Sequence, residues 1–269
     1  MIPAWHPHFD VWAFVFVVGF GYTYTILRIG PHLEVDRPLV TRRQVALFAS
    51  GLASLWLVSD WPFHDIAEQR LFLFHMIEHM TLALVSAPLM IAGTPAWMLR
   101  RILTNPSLFP IIRPLTRPLA AFFVFNGILV GIHWPEIVNL MVTSGIYHFA
   151  IHALLMAAAI VMWIPVLSSV PELKRLNPPL RMLYLFAHSL LPTVPASFLT
   201  FGREPLYRFY AEAPRLWGID AITDQTLAGL VMKLGGGAIL WGVIVVVWFR
   251  WYAYEQRWEA LERELRKGS

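Results

Sequence analysis

Four of the ten histidines in this chain form two i,i+4 pairs, His75 with His79 in HMIEH and His148 with His152 in YHFAIH. On an α-helix this spacing places both imidazoles of a pair on one face, about 6 Å apart, close enough to share a ligand. Imidazole suits copper, zinc and iron alike. The chemistry on offer is therefore metal or heme ligation, weighed against histidines that merely hydrogen-bond to neighbouring helices. Further polar residues stand near these pairs: Asp60, His64 and Asp65 in SDWPFHDIAE, His133 in GIHWP, and Asp224 in DQTLAG. Met76, Met80 and Met156 could offer thioethers to copper(I), although packing is the ordinary role of methionine in an apolar chain. His188 reads as a lone hydrogen-bonded histidine, and His6, His8 and His32 as terminal or loop residues with little specificity. Cysteine is absent, which removes disulfides, thiolate metal sites and thiol redox pairs.

The elements that must carry these residues are hydrophobic. Of the 269 residues, 57% are hydrophobic and 14% charged, and mean hydropathy is +0.57. A soluble domain is nearer a quarter charged, so this chain lacks the charge to wet its surface. That excludes a cytosolic enzyme, a disordered chain and a repeat solenoid. The 12 Trp and 18 Phe suit a lipid-facing protein with aromatic interface belts. A helix needs about 20 mostly apolar residues to cross a bilayer core of about 30 Å. Measured from charge to charge, the sequence predicts seven such spans, at approximately 11–28, 43–60, 70–92, 117–134, 141–165, 180–202 and 225–250. Runs such as VWAFVFVVGF and WGVIVVVWF are continuous rather than alternating, unlike the strands of a membrane barrel. The expected fold is an all-α integral membrane protein, a single seven-helix domain over 1–269 with a cytoplasmic helical tail at 251–269. MIPAWHPHFD has neither a basic n-region nor a small-residue cleavage site, so the first span is expected to be retained.

Basic residues give the sidedness. Connectors carrying Arg28, Arg37, Arg42 and Arg43, then Arg100, Arg101, Arg113 and Arg117, then Lys174, Arg175 and Arg181, together with the carboxyl-terminal tail, hold sixteen of the 21 Lys and Arg. The alternate loops hold four, Arg70, Arg203, Arg208 and Arg215. By the positive-inside rule the amino terminus lies outside and the carboxyl terminus in the cytosol. No basic run with interleaved aromatics points to nucleic acid. Pro106, Pro110, Pro114 and Pro118 forbid one regular helix through their connector, and Pro192 and Pro195 predict a break in the sixth span. The Gly235-Gly236-Gly237 run predicts close helix packing.

At 1.5 Å per residue, His75 and His148 lie roughly 8–10 Å below the outer surface, and His79 and His152 roughly 14 Å. The two pairs match in depth. Glu78 and Lys233, both roughly 12–14 Å deep, are costly inside a membrane. Two readings stand for them: a buried ion pair, or Glu78 as a ligand or proton acceptor beside His75 and His79.

The segments SDWPFHDIAE, HMIEHMTLALVSAPLMIAGTPAW, NGILVGIHWP, YHFAIH and DQTLAGLVMKLGGG occur in this order. Together they resemble the multi-span CtaG family of cytochrome c oxidase assembly proteins, over about residues 10–250. That family is distinct from the single-span copper chaperone that sometimes shares its name. The resemblance implies a seven-span protein of the bacterial plasma membrane, not an enzyme, linked to assembly of a heme-copper oxidase and to copper delivery. The family's recurrent polar positions fall on Asp60, His64, Asp65, His75, His79, His133, His148, His152 and Asp224. Members often have glutamine where Glu78 stands and an apolar or aromatic residue where Lys233 stands, a joint difference that favours the ion pair. The expected function is a copper-binding assembly factor, with His75, His79, His148, His152 and His64 as metal ligands and an oxidase subunit or another assembly factor as partner. A heme-binding electron-transfer protein using the same histidines is the alternative, followed by a copper transporter.

Overall fold

The computed structural model describes residues 2–33, 38–173 and 175–268, with side chains as far as Arg266. Arg37 and Lys174, two members of the basic connectors, lie outside the described residues. Among those residues every regular element is a helix. Helix α1 (Phe9–Tyr24) runs through a π turn, Thr25–Ile29, and α2 (Arg42–Ser59) is followed by the short α3 (Phe63–Gln69). Helix α4 (Phe72–Thr81) passes through a second π turn, Leu82–Ser86, into α5 (Ala87–Gly93). Then come α6 (Ala96–Leu103), α7 (Phe109–Leu115), α8 (Pro118–Ile132), α9 (Pro135–Thr143) and α10 (Gly145–Leu167). The chain closes with α11 (Pro178–Leu190), α12 (Thr193–Phe201), α13 (Arg208–Glu212), α14 (Ala221–Leu230), a third π turn at Val231–Gly235, and α15 (Gly236–Gly268).

Five helical stretches are long and apolar enough to cross a membrane: Phe9–His32, Phe72–Gly93, Gly145–Leu167, Pro178–Phe201 and Ala221–Arg266. Two bent pairs, α2 with α3 at 45° and α7 with α8 at 86°, raise the number to seven if each is one span. The sequence reading leaves 134–141 as a loop. There the chain instead forms α9, started by Pro135 in its first turn, where proline's missing N–H does no harm.

Local signals account for most boundaries. Thr41 and Gln44 form a reciprocal capping box on α2, which satisfies two amide groups that would otherwise lack partners. Asn177 caps α11 through the Leu180 amide, and Asp220 caps α14 through Ile222 and Thr223. Pro106 falls in the turn after α6, while Pro110 and Pro118 open α7 and α8. The sixth helix breaks at Leu191–Pro192 between α11 and α12. The π turn at Leu82–Ser86 also has a sequence cause. In such a wide turn the Ala83 carbonyl would look five residues on, to Pro88, which has no N–H. The buried Trp163 indole donates to that carbonyl instead, at 2.9 Å.

Contacts divide the connectors between two ends. At one end Trp12 bonds Asp60, Tyr210 donates to the Ala67 carbonyl, and Tyr207 donates to the His133 carbonyl. At the other, Trp97 donates to the Leu39 carbonyl, Arg100 pairs with Glu172, and Leu103 packs with Ile164, Val170 and Leu173. Arg100, Arg101 and Arg113 belong to this second end. The interior is built from Phe72, Met76, Leu155, Met162, Trp163, Leu185, Leu199 and Met232. Large apolar residues such as Phe16, Phe20, Leu119, Phe123, Leu183, Phe198 and Phe249 face outward, as expected where the surrounding solvent is hydrocarbon.

Two helix contacts depend on glycine. A Cβ on Gly93 would meet the Phe48 amide nitrogen at 2.3 Å and the Gln44 carbonyl at 2.7 Å, and one on Gly51 would meet the Ser86 carbonyl at 2.9 Å. These positions seat α2 directly against the third span, with the backbones touching. Gly236 rests against Met80, whose sulfur would lie 3.1 Å from an added Cβ.

Candidate metal centre

Helices α3, α4 and α10 bring five imidazoles into one cluster. His75 and His79 lie along α4 with ring centroids 4.1 Å apart and planes tilted by 51°, and His148 and His152 lie along α10 at 4.3 Å. Across the helices His79 and His152 approach to 4.9 Å, and their Nε2 atoms are 3.0 Å apart, one donating and the other accepting. His64, carried by α3, lies 4.8 Å from His148 and 6.0 Å from His152. The α3 turn that follows the bend after α2 folds His64 back over the cluster, where it is buried. Ring nitrogens of His75, His79 and His152 all lie within 4.8 Å of one another. Tetrahedral metal–nitrogen bonds of about 2.0–2.1 Å place ligand atoms roughly 3.4 Å apart, so only small side-chain movements separate this set from a binding geometry.

The polar atoms of the cluster are underused. His75 Nδ1, His79 Nδ1 and His148 Nε2 are buried without a hydrogen-bond partner. Buried polar groups are nearly always satisfied, and an unpaired imidazole lone pair is what a metal ion requires. The carboxylates sit one layer out. Glu78, fully buried, places its two oxygens 3.0 and 3.2 Å from His64 Nδ1 and one of them 3.5 Å from His152 Nδ1. Glu68 lies 3.3 Å from His148 Nδ1 and 3.8 Å from His64 Nε2. A carboxylate behind a histidine fixes ring orientation and raises ligand basicity. The donor set therefore fits a transition-metal ion.

Glu78 and Lys233 do not form the expected ion pair. Lys233 Nζ donates to the Ser189 carbonyl at 3.1 Å and to the Thr193 hydroxyl, both at the break in the sixth helix. Depth along each helix is not enough to make a contact. Lys233 lies in the π turn Val231–Gly235, whose extra residue re-aims the side chain, and the interrupted sixth helix offers it a free carbonyl. Glu78 turns to His64 instead.

The remaining expected residues support the site from around it. Asp60 accepts from the Trp12 and Trp56 indoles and the Trp61 amide. Asp65 takes His8 Nε2 at 2.9 Å and Gln69 at 3.1 Å. His133 donates from Nδ1 to the Leu129 carbonyl at 2.6 Å, with its ring 6.2 Å from His79. Asp224 accepts from the Phe72 and Leu73 amides, each at 2.9 Å, and so caps the helix that bears His75 and His79. Asp224→Ala is expected to lower thermal stability in detergent by about 1–2 kcal/mol, the value of a lost N-terminal cap, with Asp224→Asn recovering part of it. His188 accepts from the Asn126 side-chain amide at 3.0 Å, away from the cluster. Met76 and Met80 pack in the main apolar core, whereas Met156 lines the cavity beside His152.

Sequence reasoning missed Glu68 and His8. Glu68 follows His64 at i,i+4, a helical spacing that could have marked it. His8 packs against His64 with centroids 4.8 Å apart, a contact for which no short-range pattern exists. A cavity of about 370 Å³ opens beside the cluster, with His6, His8, His64, Glu68, His148 and His152 on its polar side and Phe14, Leu55 and Met156 on its apolar side.

A polytopic helical membrane protein with a buried polyhistidine cluster at one end is the class that this fold and site define. The model of the cytochrome c oxidase caa3 assembly factor family matches residues 20–254. The chain belongs to that family. No curated protein and no solved structure matches it.

Proposed function

We propose that this protein is a non-catalytic assembly factor that holds a copper ion with His75, His79 and His152, assisted by His148 and His64, and delivers it to a heme-copper oxidase subunit. Seven spans would cross the bacterial plasma membrane with the amino terminus outside and the carboxyl terminus in the cytosol, a reading supported by the basic residues gathered at one end. The observation that carries the proposal is the convergence of His75, His79 and His152, each with a ring nitrogen within 4.8 Å of the others, while His75 Nδ1 and His79 Nδ1 are buried without a hydrogen-bond partner. Copper heads the affinity order of divalent first-row ions at nitrogen sites. The ring packing favours a bare ion over heme. The His79 and His152 nitrogens are 3.0 Å apart, nearer than two axial nitrogens on opposite faces of one iron, which at bonds of about 2.0 Å would stand about 4 Å apart. The transporter reading would need a path through the broken sixth helix, and Lys233 is bonded into that break.

Metal analysis and a visible spectrum on one purified sample test the proposal. Copper is expected in the wild type and should fall in a variant with alanine at His75, His79, His148 and His152, and that variant should fail to support oxidase assembly. Copper-free wild type together with a four-alanine variant that still supports assembly would overturn it. A Soret band would establish the heme reading in its place.

A further inference from the structure

We propose a second metal site, formed by His6, His8 and Asp65 at the mouth of the cavity, that takes a divalent first-row transition ion and loads the interior cluster through His64. The loading step rests on the copper reading above; the outer site does not. His6 and His8 precede α1, and the family match begins only at residue 20, so two of the three ligands belong to a stretch outside the matched residues. One ligand atom from each of His6, His8 and Asp65 lies within 4.8 Å of the others. His8 Nε2 is already 2.9 Å from Asp65 Oδ2, close to the edge of a metal polyhedron. The ring of His6, an exposed residue, stands 5.2 Å from that of His8. Asp65 is 1% exposed, a carboxylate whose removal from water calls for a cationic partner.

Two imidazoles and a carboxylate form a mixed nitrogen–oxygen set that suits copper(II) or zinc(II). The interior trio is all imidazole, so the two sites differ in chemistry. A neutral His8 carries one ring proton. Before an ion binds, that proton lies on Nε2 and is donated to Asp65 Oδ2 at 2.9 Å; taking the ion shifts the proton to Nδ1 and puts the metal in place of the hydrogen bond. The path inward is continuous: His8 to His64 at 4.8 Å, His64 to His148 at 4.8 Å, and His148 to His152 at 4.3 Å between centroids. Passage along it is ligand exchange at constant oxidation state, and no electron donor is needed. Four of these residues, His8, His64, His148 and His152, line the same cavity as His6 and Asp65.

The test is copper(II) titration with electron paramagnetic resonance on the full chain, free of any histidine affinity tag. An interior triple variant, H75A/H79A/H152A, is expected to keep a copper(II) signal with imidazole-nitrogen hyperfine structure. Adding H6A/H8A should erase that signal. H6A/H8A alone leaves every apolar core cluster intact, and Gln69 still bonds Asp65, so it keeps the test valid if the triple variant misfolds. It should lose one class of copper(II) signal and slow filling of the interior site about tenfold or more, on the scale of losses seen when metal-supporting residues are removed. An interior variant that binds no copper(II), or H6A/H8A proteins that bind it as the parent does, would overturn the outer site. An outer signal without interior filling in the wild type would leave the outer site standing and overturn the loading step and the copper reading together.

Discussion

Glu78→Ala is expected to be the most damaging single change at the histidine cluster. It removes the acceptor of His64 and the carboxylate facing His152 from a fully buried position. Deleting one partner of a buried charged pair costs about 3–5 kcal/mol, because the other partner is left without compensation. The loss should appear as a lower thermal midpoint in detergent even without metal. Glu78→Gln keeps the volume and one acceptor but loses the charge. It should fold better and still lose about 10–100-fold in copper affinity, the range for outer carboxylates that orient ligating histidines. Lys233→Met provides the control. Since Lys233 bonds Ser189 and Thr193, its effect should add to that of Glu78→Ala within about 0.3–0.5 kcal/mol in a double-mutant cycle. Coupling well beyond that would show that the two residues pair in the working protein.

The second large effect is expected far from the histidines. Gly93→Ala places a Cβ 2.3 Å from the Phe48 amide nitrogen and 2.7 Å from the Gln44 carbonyl. The obstruction is backbone on both counts, so no side chain can turn aside, and α2 must move away from α5. The shift would also disturb Tyr22, whose hydroxyl donates to the Gly93 carbonyl at 3.0 Å. Overpacking costs typically about 1–3 kcal/mol and occasionally more, and Gly93→Ala should sit at or above the top of that range. Gly127→Ala makes a matched comparison, since a Cβ there meets nothing within 4 Å. In the interior of α8 it should be neutral or stabilising by up to about 1 kcal/mol. Thermal unfolding and the amount of protein recovered from membranes would distinguish the two. Copper bound per folded molecule should be unchanged by either, because both lie outside the cluster. Equal behaviour of the two variants would mean that the spans do not touch as closely as the backbone indicates.

The sequence by itself determined the helical, membrane-type character of the chain, the approximate position of each long apolar stretch, and the break at Pro192. It also determined the two histidine pairs, because i,i+4 spacing makes neighbours on any helix, and the uneven distribution of basic residues between connectors. These properties are local: they depend on composition and on the phase of a residue within its own helix. Which rings meet was decided by the tertiary structure. Equal depth of Glu78 and Lys233 was legible in the residue count, but depth says nothing about rotation of one helix against another, and the π turn at Val231–Gly235 changes that rotation. The partner of Glu78 came from α3, whose return over the cluster depends on the 45° bend after α2. Asp224 stood among the chemistry-bearing residues by type and location, yet it became a helix cap because α14 lies beside the start of α4. His8 carried no periodic signal at all. It joins the histidines because Asp65 holds it there, across 57 residues of chain.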